Sequence, residues 1–379
     1  MEDKHMLMIP GPTPVPEKIL LSMAKHPIGH RSGDFSKIIA EINQNLKWLH
    51  QTKNEVLSLN VSGTGAMEAG IINFLSPGDR VLVGVNGKFG DRWAQICEVF
   101  GLQTQRISAE WGQPLDTEEF GQLLAADTNK EIKAVIITHS ETSSGVLNDL
   151  QTINQQVKNH GEALIIVDAV TSLGAYNIPI DEWGLDVVAS GSQKGYMIPP
   201  GLGFVAVSDK AWSAYENCKF PRFYMDLGKY KKANAKDSTP FTPPINLMYG
   251  LQTALQMMQT EGLENIFARH LRLTQATRAA VKALGLQPFA PDNAASTAIT
   301  AIATDDAEKI RSIMRQKYDI ALAGGQDHLK GKIFRIGHLG FVSDRDILTA
   351  ISCLSATLIE LGYSFDAKAG VKAAAAALV

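Results

Sequence analysis

The chain has 379 residues, 45% of them hydrophobic and 20% charged, which is too long for one small core and points to one large domain with a smaller one. Its net charge of −3, without any basic block, excludes a nucleic-acid footprint, and no apolar run approaches the roughly 18 residues of a membrane span. The opening stretch MEDKHMLMIPGPTPVP carries acids and no apolar h-region, so no signal peptide is expected; three scattered cysteines (Cys97, Cys218, Cys353) fit a reducing, cytoplasmic compartment, and no CxxC or HExxH motif calls for a metal.

In chain order, EVLSLNVSGTGAMEAGIINFL (55–75) reads as a strand, a glycine turn and a helix beginning at Ala66. SPGDRVLVGVN gives a turn and a strand. GDRWAQICEVFG (90–101) has helical spacing at Trp93, Ile96, Cys97 and Phe100. LQTQRIS is a strand. DTEEFGQLLAA (116–126) opens a helix at Asp116, with Glu119 three residues on in a capping-box pattern. KAVIITHS (133–140) is a buried strand and LQTINQQVKNH a helix; EALIIVDAVTSLGA and LDVVASGSQK are two further strands. This alternation predicts an α/β fold with a mainly parallel sheet covered on both faces.

Such sheets bind ligands beyond the carboxyl ends of their strands. Those ends are Ser62-Gly63-Thr64-Gly65, Asn86 to Phe89, His139 to Ser144, Asp168 to Ser172 and Gln193-Lys194, and all are rich in polar and small residues. After about residue 245 the texture changes. A long helical tract, divided near Glu261-Gly262, is followed by the strand TAITAIA (297–303), the helix DDAEKIRSIMRQK, the strand and turn GKIFRIGHLG (331–340) and a closing helix. The expected division is an N-terminal arm (1–20), a large domain (21–260), a smaller C-terminal α+β domain (261–365) and an alanine-rich tail (366–379) that could extend a helix but in which nothing promises packing.

The chemistry starts from VVASGSQKGYMIPPGLGFVAV (187–207), where Lys194 stands between two apolar runs. A solvated turn is the ordinary place for a lysine. An amine held at the rim of a sheet can instead form a Schiff base with a carbonyl. Asp168 ends the apolar run Ala163 to Val167, where a carboxylate is costly unless paired. It is either a structural hydrogen-bond acceptor or the counter-ion of a buried cation such as a protonated ring nitrogen. SGTGAMEAG is either a tight turn or a helix start suited to a phosphate; G-x-G-x-x-G is not met and no Walker lysine follows. Phe89 is core or a ring that stacks on a flat cofactor. Thr142 to Ser144 add hydroxyls. Arg335, inside an apolar strand, needs an anion: an acidic neighbour, or a substrate carboxylate held by its planar fork. Together these residues describe a pyridoxal phosphate enzyme acting on amino acids.

PGPTPVP, HRSGDF, SGTGAMEA, HSETSSGVLND, VDAVTSLGA, SGSQKGYMIPPG and FRIGHLG follow one another from MIPGPTPVP to DRDILTAISCL. With that ordered set the chain resembles the class V aminotransferases, and within them the alanine–glyoxylate and serine–glyoxylate aminotransferases. The resemblance implies an aspartate aminotransferase-like, fold type I enzyme carrying pyridoxal 5'-phosphate. In it Lys194 would bond the cofactor carbonyl and serve as general base, and Asp168 would pair with the pyridine nitrogen. Val170 and Phe89 would lie on the two ring faces. Ser62, Gly63, Thr64 and Gln193 would hold the phosphate, Thr142 would sit near the ring hydroxyl, and Arg335 would take the substrate carboxylate. A homodimer is implied, with STPFTPP, and chiefly Thr242, reaching the partner's phosphate.

Phe89 stands where the animal alanine–glyoxylate enzymes have tryptophan, Thr64 where they have histidine and Thr239 where they have a phosphate-binding tyrosine. SGTG and HRS look more like the serine–glyoxylate branch. The implied reaction moves the amino group of L-alanine or L-serine to glyoxylate by a ping-pong route. With Arg335 as the one evident carboxylate clamp, aspartate and glutamate are disfavoured as donors, although Arg31, Arg92 and Arg222 are not placed by the sequence. Two rivals stand beside this reading. A cysteine desulfurase needs a nucleophilic cysteine, for which Cys218 is the candidate. A non-catalytic, hydrogenase-associated subunit of redox type would need metal or iron–sulfur ligands.

Overall fold

Seven strands form the central sheet, in the order Val56–Leu59, Gly203–Val207, Val187–Gly191, Leu164–Asp168, Ile132–Thr138, Arg80–Val85 and Gln103–Ser108. The computed structural model describes residues 5–379; the first four residues of the expected arm lie outside the described residues. Every neighbouring pair is parallel except the two made by Gly203–Val207, which runs against both of its neighbours. Six strands therefore point the same way and bring their carboxyl ends to one edge.

The apolar runs are continuous because both faces are covered. Ile165 and Val167 pack into one core with Phe35, Ile39, Ile42 and Leu46, whereas Leu164 and Ile166 pack into the other with Met67 and Trp93. The helix Gly33–His50 supplies the first group; strand–helix alternation passed over it, although Ser32 caps it and its apolar residues recur every three or four positions.

The second sheet has the order Met6–Met8, Ile320–Gly324, Ile333–Gly337, Ile299–Ala303 and Gln287–Pro288. Met6–Met8 runs parallel to Ile320–Gly324, so this part of the N-terminal arm adds a strand to the second sheet. The helical tract breaks at Gly262, between Ile245–Glu261 and Leu263–Ala283.

Three local expectations differ from the structure. The helix after the glycine turn spans Gly63–Ile72, not Ala66 onward, so Gly63 and Thr64 sit in its first turn, where backbone N–H groups have no intrahelical acceptor. Asp116 caps its helix through the N–H of Glu118, and the reciprocal capping box forms instead between Ser343 and Asp346. The alanine-rich tail forms the helix Ala369–Leu378, packed on Leu263–Ala283 and Asp344–Glu360 with Ala374 fully buried. Its small side chains allow that approach: a Cβ on Gly370 would lie 2.9 Å from Leu284. Among the described residues, no helix is long and apolar enough to cross a membrane.

Candidate active site

The five strand-end segments meet at one cavity of about 260 Å³. Ser62, Gly63 and Thr64 line it from the helix start, and Phe89 from the first turn of the helix Lys88–Val99. Thr142, Asp168, Val170, Gln193 and Lys194 complete the set read from the sequence. Ser140 and Thr171, from two of the strand-end segments, also line it, as do Met67 and Arg92, to which the sequence assigned no role.

Asp168 is the last residue of its strand and is buried. Its Oδ2 accepts from Trp93 Nε1 at 3.1 Å and its Oδ1 from the Val170 N–H at 2.9 Å. Burial pushes the carboxyl above its ordinary range; these two donors, with the charges of Lys194 and Arg92, oppose that shift.

Lys194 is also buried, and its Nζ donates to the carbonyl of Pro10 at 2.9 Å. Burial lowers its amine to about 8; Asp168 works against this shift, and the charges of Arg335 and Arg92 add to it. The arm explains PGPTPVP. Thr13 donates its Oγ1 to the Lys194 carbonyl and its N–H to the Gln193 carbonyl, both at 3.0 Å. Between them Gly11 crosses the lysine with φ +140°, and a Cβ there would lie 2.5 Å from Nζ. Gly11→Ala is therefore expected to displace Lys194 at a cost of roughly 1–3 kcal/mol of backbone strain. Weaker cofactor uptake, with the melting temperature changed only modestly, is the expected result of a binding titration; unchanged uptake would contradict it.

Glu141 is fully buried and fixes the ring-bearing turn. It accepts from the N–H groups of Phe89 (2.9 Å) and Gly90 (3.0 Å), and from the N–H and hydroxyl of Ser143. Gly63 lets the helix start approach Val170, since a Cβ would lie 3.1 Å from Val170 Cγ2.

Two predicted residues fall outside the cavity. Arg335 is buried behind Thr142, donating Nη1 to the Thr142 carbonyl at 2.8 Å and Nε and Nη2 to the Gly324 carbonyl at 3.0 and 2.6 Å. Three of its five N–H groups are thereby used, which leaves one on each terminal nitrogen. Thr242 is exposed, and its carbonyl accepts from Asn60 Nδ2. Of the arginines the sequence left open, Arg31 holds Ser238 and the Thr239 carbonyl, Arg222 packs on Tyr215 beside Asp226, and Arg92 enters the cavity. None of the three cysteines lines it. Cys97 lies in the core with its thiol pushed up to about 12, and Cys218 Sγ donates to the carbonyls of Ile72 and Leu75.

Residues 10–337 match the family model described as Aminotransferase class-V. The chain belongs to the class V aminotransferases. It is 69% identical, over 99% of both chains, to a protein of Anabaena cylindrica named soluble hydrogenase 42 kDa subunit. It is 37% identical to an L-aspartate–glyoxylate aminotransferase of Paracoccus denitrificans, covering 99% of this chain and 96% of the relative. The crystal structure of an alanine–glyoxylate aminotransferase from Nostoc sp. superposes with a TM-score of 0.89 at 30% identity, covering 94% of this chain and 96% of that one. Class V aminotransferases depend on pyridoxal 5'-phosphate.

The cavity of this aminotransferase fits that cofactor. Thr142 Oγ1 and Gln193 Oε1 are buried there without a partner. A phenolic oxygen can accept from the threonine hydroxyl, and a phosphate selects the orientation of the Gln193 amide that turns its NH₂ inward. A buried amine, a buried carboxylate and a helix start complete the donor set.

Proposed function

We propose that this aminotransferase moves the amino group of L-alanine, or of L-serine, to glyoxylate, giving glycine and pyruvate or hydroxypyruvate. The observation that carries the reading is the convergence of Lys194 and Asp168 on one cavity, with Arg335 behind Thr142 offering two remaining N–H groups. When bound, the cofactor supplies a carbonyl carbon for an amine and a ring that takes up electrons. Lys194 would hold the cofactor at that carbon and would serve as the base that moves the proton of the donor's Cα. Asp168 holds a proton at the ring nitrogen. Phe89 and Val170 would flank the ring, Thr142 would donate to the ring hydroxyl, and Ser62, Gly63, Thr64 and Gln193 would hold the phosphate. Arg335 takes the substrate carboxylate with its free pair of N–H groups. Thr242 serves the second site of a homodimer.

The donor follows from charge. Arg335 is the guanidinium at the Thr142 end, and Arg92 is turned to Thr64 instead. A donor with one carboxylate and a small side chain suits that arrangement; the name of the Paracoccus relative makes aspartate the competitor to measure. With glyoxylate as acceptor, kcat/KM for L-alanine or L-serine is expected to exceed that for L-aspartate by about tenfold or more, the worth of one charge-assisted hydrogen bond. Aspartate as the best donor would contradict this.

The name of the Anabaena relative favours a second reading, a hydrogenase-associated subunit. Among the described residues, no group of three or more His, Cys, Asp or Glu side chains could hold a metal ion. Metal analysis of the purified protein, alongside the transamination assay, separates the two readings.

A further inference from the structure

We propose that Arg92 is a ligand of the cofactor phosphate. The inference rests on the cofactor placement proposed above. Three residues of one helix face the cavity region together. Phe89 and Arg92 line the cavity, one helical turn apart, and Trp93 reaches Asp168. The guanidinium lies over the Phe89 ring, 5.0 Å from its centroid, and Nη1 donates to Thr64 Oγ1 at 3.2 Å.

Among the described residues, no carboxylate lies within ion-pair distance of Arg92. The adjacent Asp91 is taken by Arg106, as is Glu98. One of five N–H groups is thus engaged, on a cation that lines a cavity and whose charge bears on both Asp168 and Lys194. Four N–H groups are available to an anion at this end.

Position selects which anion. Thr64 is in the first turn of the helix Gly63–Ile72, the phosphate end of the cavity. The substrate carboxylate belongs at the other end, where Arg335 donates to the Thr142 carbonyl. Charge agrees with position. A helix start offers only about half a positive charge. Arg92 is then the fixed cation available to a phosphate dianion, and its fork can reach two phosphate oxygens.

The test is a titration of the apoenzyme with pyridoxal 5'-phosphate and with pyridoxal, which lacks the phosphate, followed by the near-visible band. The comparison is between wild type and R92Q. R92Q is expected to bind pyridoxal 5'-phosphate roughly 10- to 100-fold more weakly and pyridoxal equally well, as for the loss of a charge-assisted hydrogen bond. Inorganic phosphate should compete with the cofactor in wild type and much less in R92Q. R92K, which keeps the charge and loses the fork, should fall between them and serves alone if R92Q does not fold. Equal weakening for both ligands would overturn the proposal, making Arg92 a support for Phe89. Unchanged cofactor affinity with selective loss of aspartate turnover would also overturn it, assigning Arg92 to a donor's second carboxylate. A wild-type apoenzyme that forms no band with either ligand would remove the site reading itself, and this proposal with it.

Discussion

Lys194→Ala is expected to remove the near-visible band of the lysine-bound cofactor and to lower turnover by roughly 10³-fold or more. General acid–base catalysis alone contributes roughly 10²–10⁴-fold, and among the described residues no other amine lines the cavity to take over the proton. The fold should survive, because the substitution removes a buried cation whose partner is a single carbonyl, that of Pro10. The same side chain carries a pH signature. Its amine is lowered to about 8, so cofactor uptake by the wild-type apoenzyme should speed up as pH rises through about 8 and level off above it. The sign follows because only the neutral amine attacks a carbonyl. A rate that climbs only in the ordinary lysine range, about 10.4, would mean that the amine is solvated. Lys194→Ala with full activity would remove the mechanism.

Asp168→Asn is expected to lower kcat by roughly 10²–10³-fold while the cofactor still binds, the usual loss when a charge that stabilises the transition state is deleted. The carboxylate accepts two hydrogen bonds, from Trp93 Nε1 and the Val170 N–H. An amide can accept only one of them without turning its NH₂ against the other donor. A stability loss of about 1–3 kcal/mol should accompany the kinetic defect. The two effects separate in Asp168→Glu, which keeps the charge and moves it: some activity should return even if the protein is less stable. Asp168→Asn turnover within about twofold of wild type would show that no proton at the ring nitrogen depends on this residue.

Much of the large sheet was legible because its strands are buried on both faces, so Ala163 to Val167 and Val187 to Ala189 stand out as unbroken apolar runs. Their polar ends marked the cavity for the same reason: a buried strand that ends in Asp168, or runs on to Lys194, needs a chemical excuse. The reversed direction of Gly203–Val207 was readable in principle, since Ser192–Leu202 is shorter than the dozen or so residues a parallel crossover takes.

Contacts remote in sequence were not legible. The hold of Pro10 and Thr13 on Lys194, and of the Thr142 carbonyl on Arg335, joins the N-terminal arm and the second sheet to the first. No local pattern encodes such a pairing. Arg92 lay in between. It stands three residues beyond Phe89 on a helix that had been recognised, so its face could be read, but its lack of an acidic partner could not. The packing of the alanine-rich tail was not legible because no large apolar side chain marks its buried face; its small residues instead let the helix approach Leu284 closely.

The most direct test of the account is the near-visible absorption spectrum of the purified protein before and after L-alanine is added. The account predicts a yellow, lysine-bound band that gives way on addition to the spectrum of the aminated cofactor and returns with glyoxylate. No band, even after pyridoxal 5'-phosphate is supplied, would contradict it, because Lys194 and Asp168 would then not form a working site.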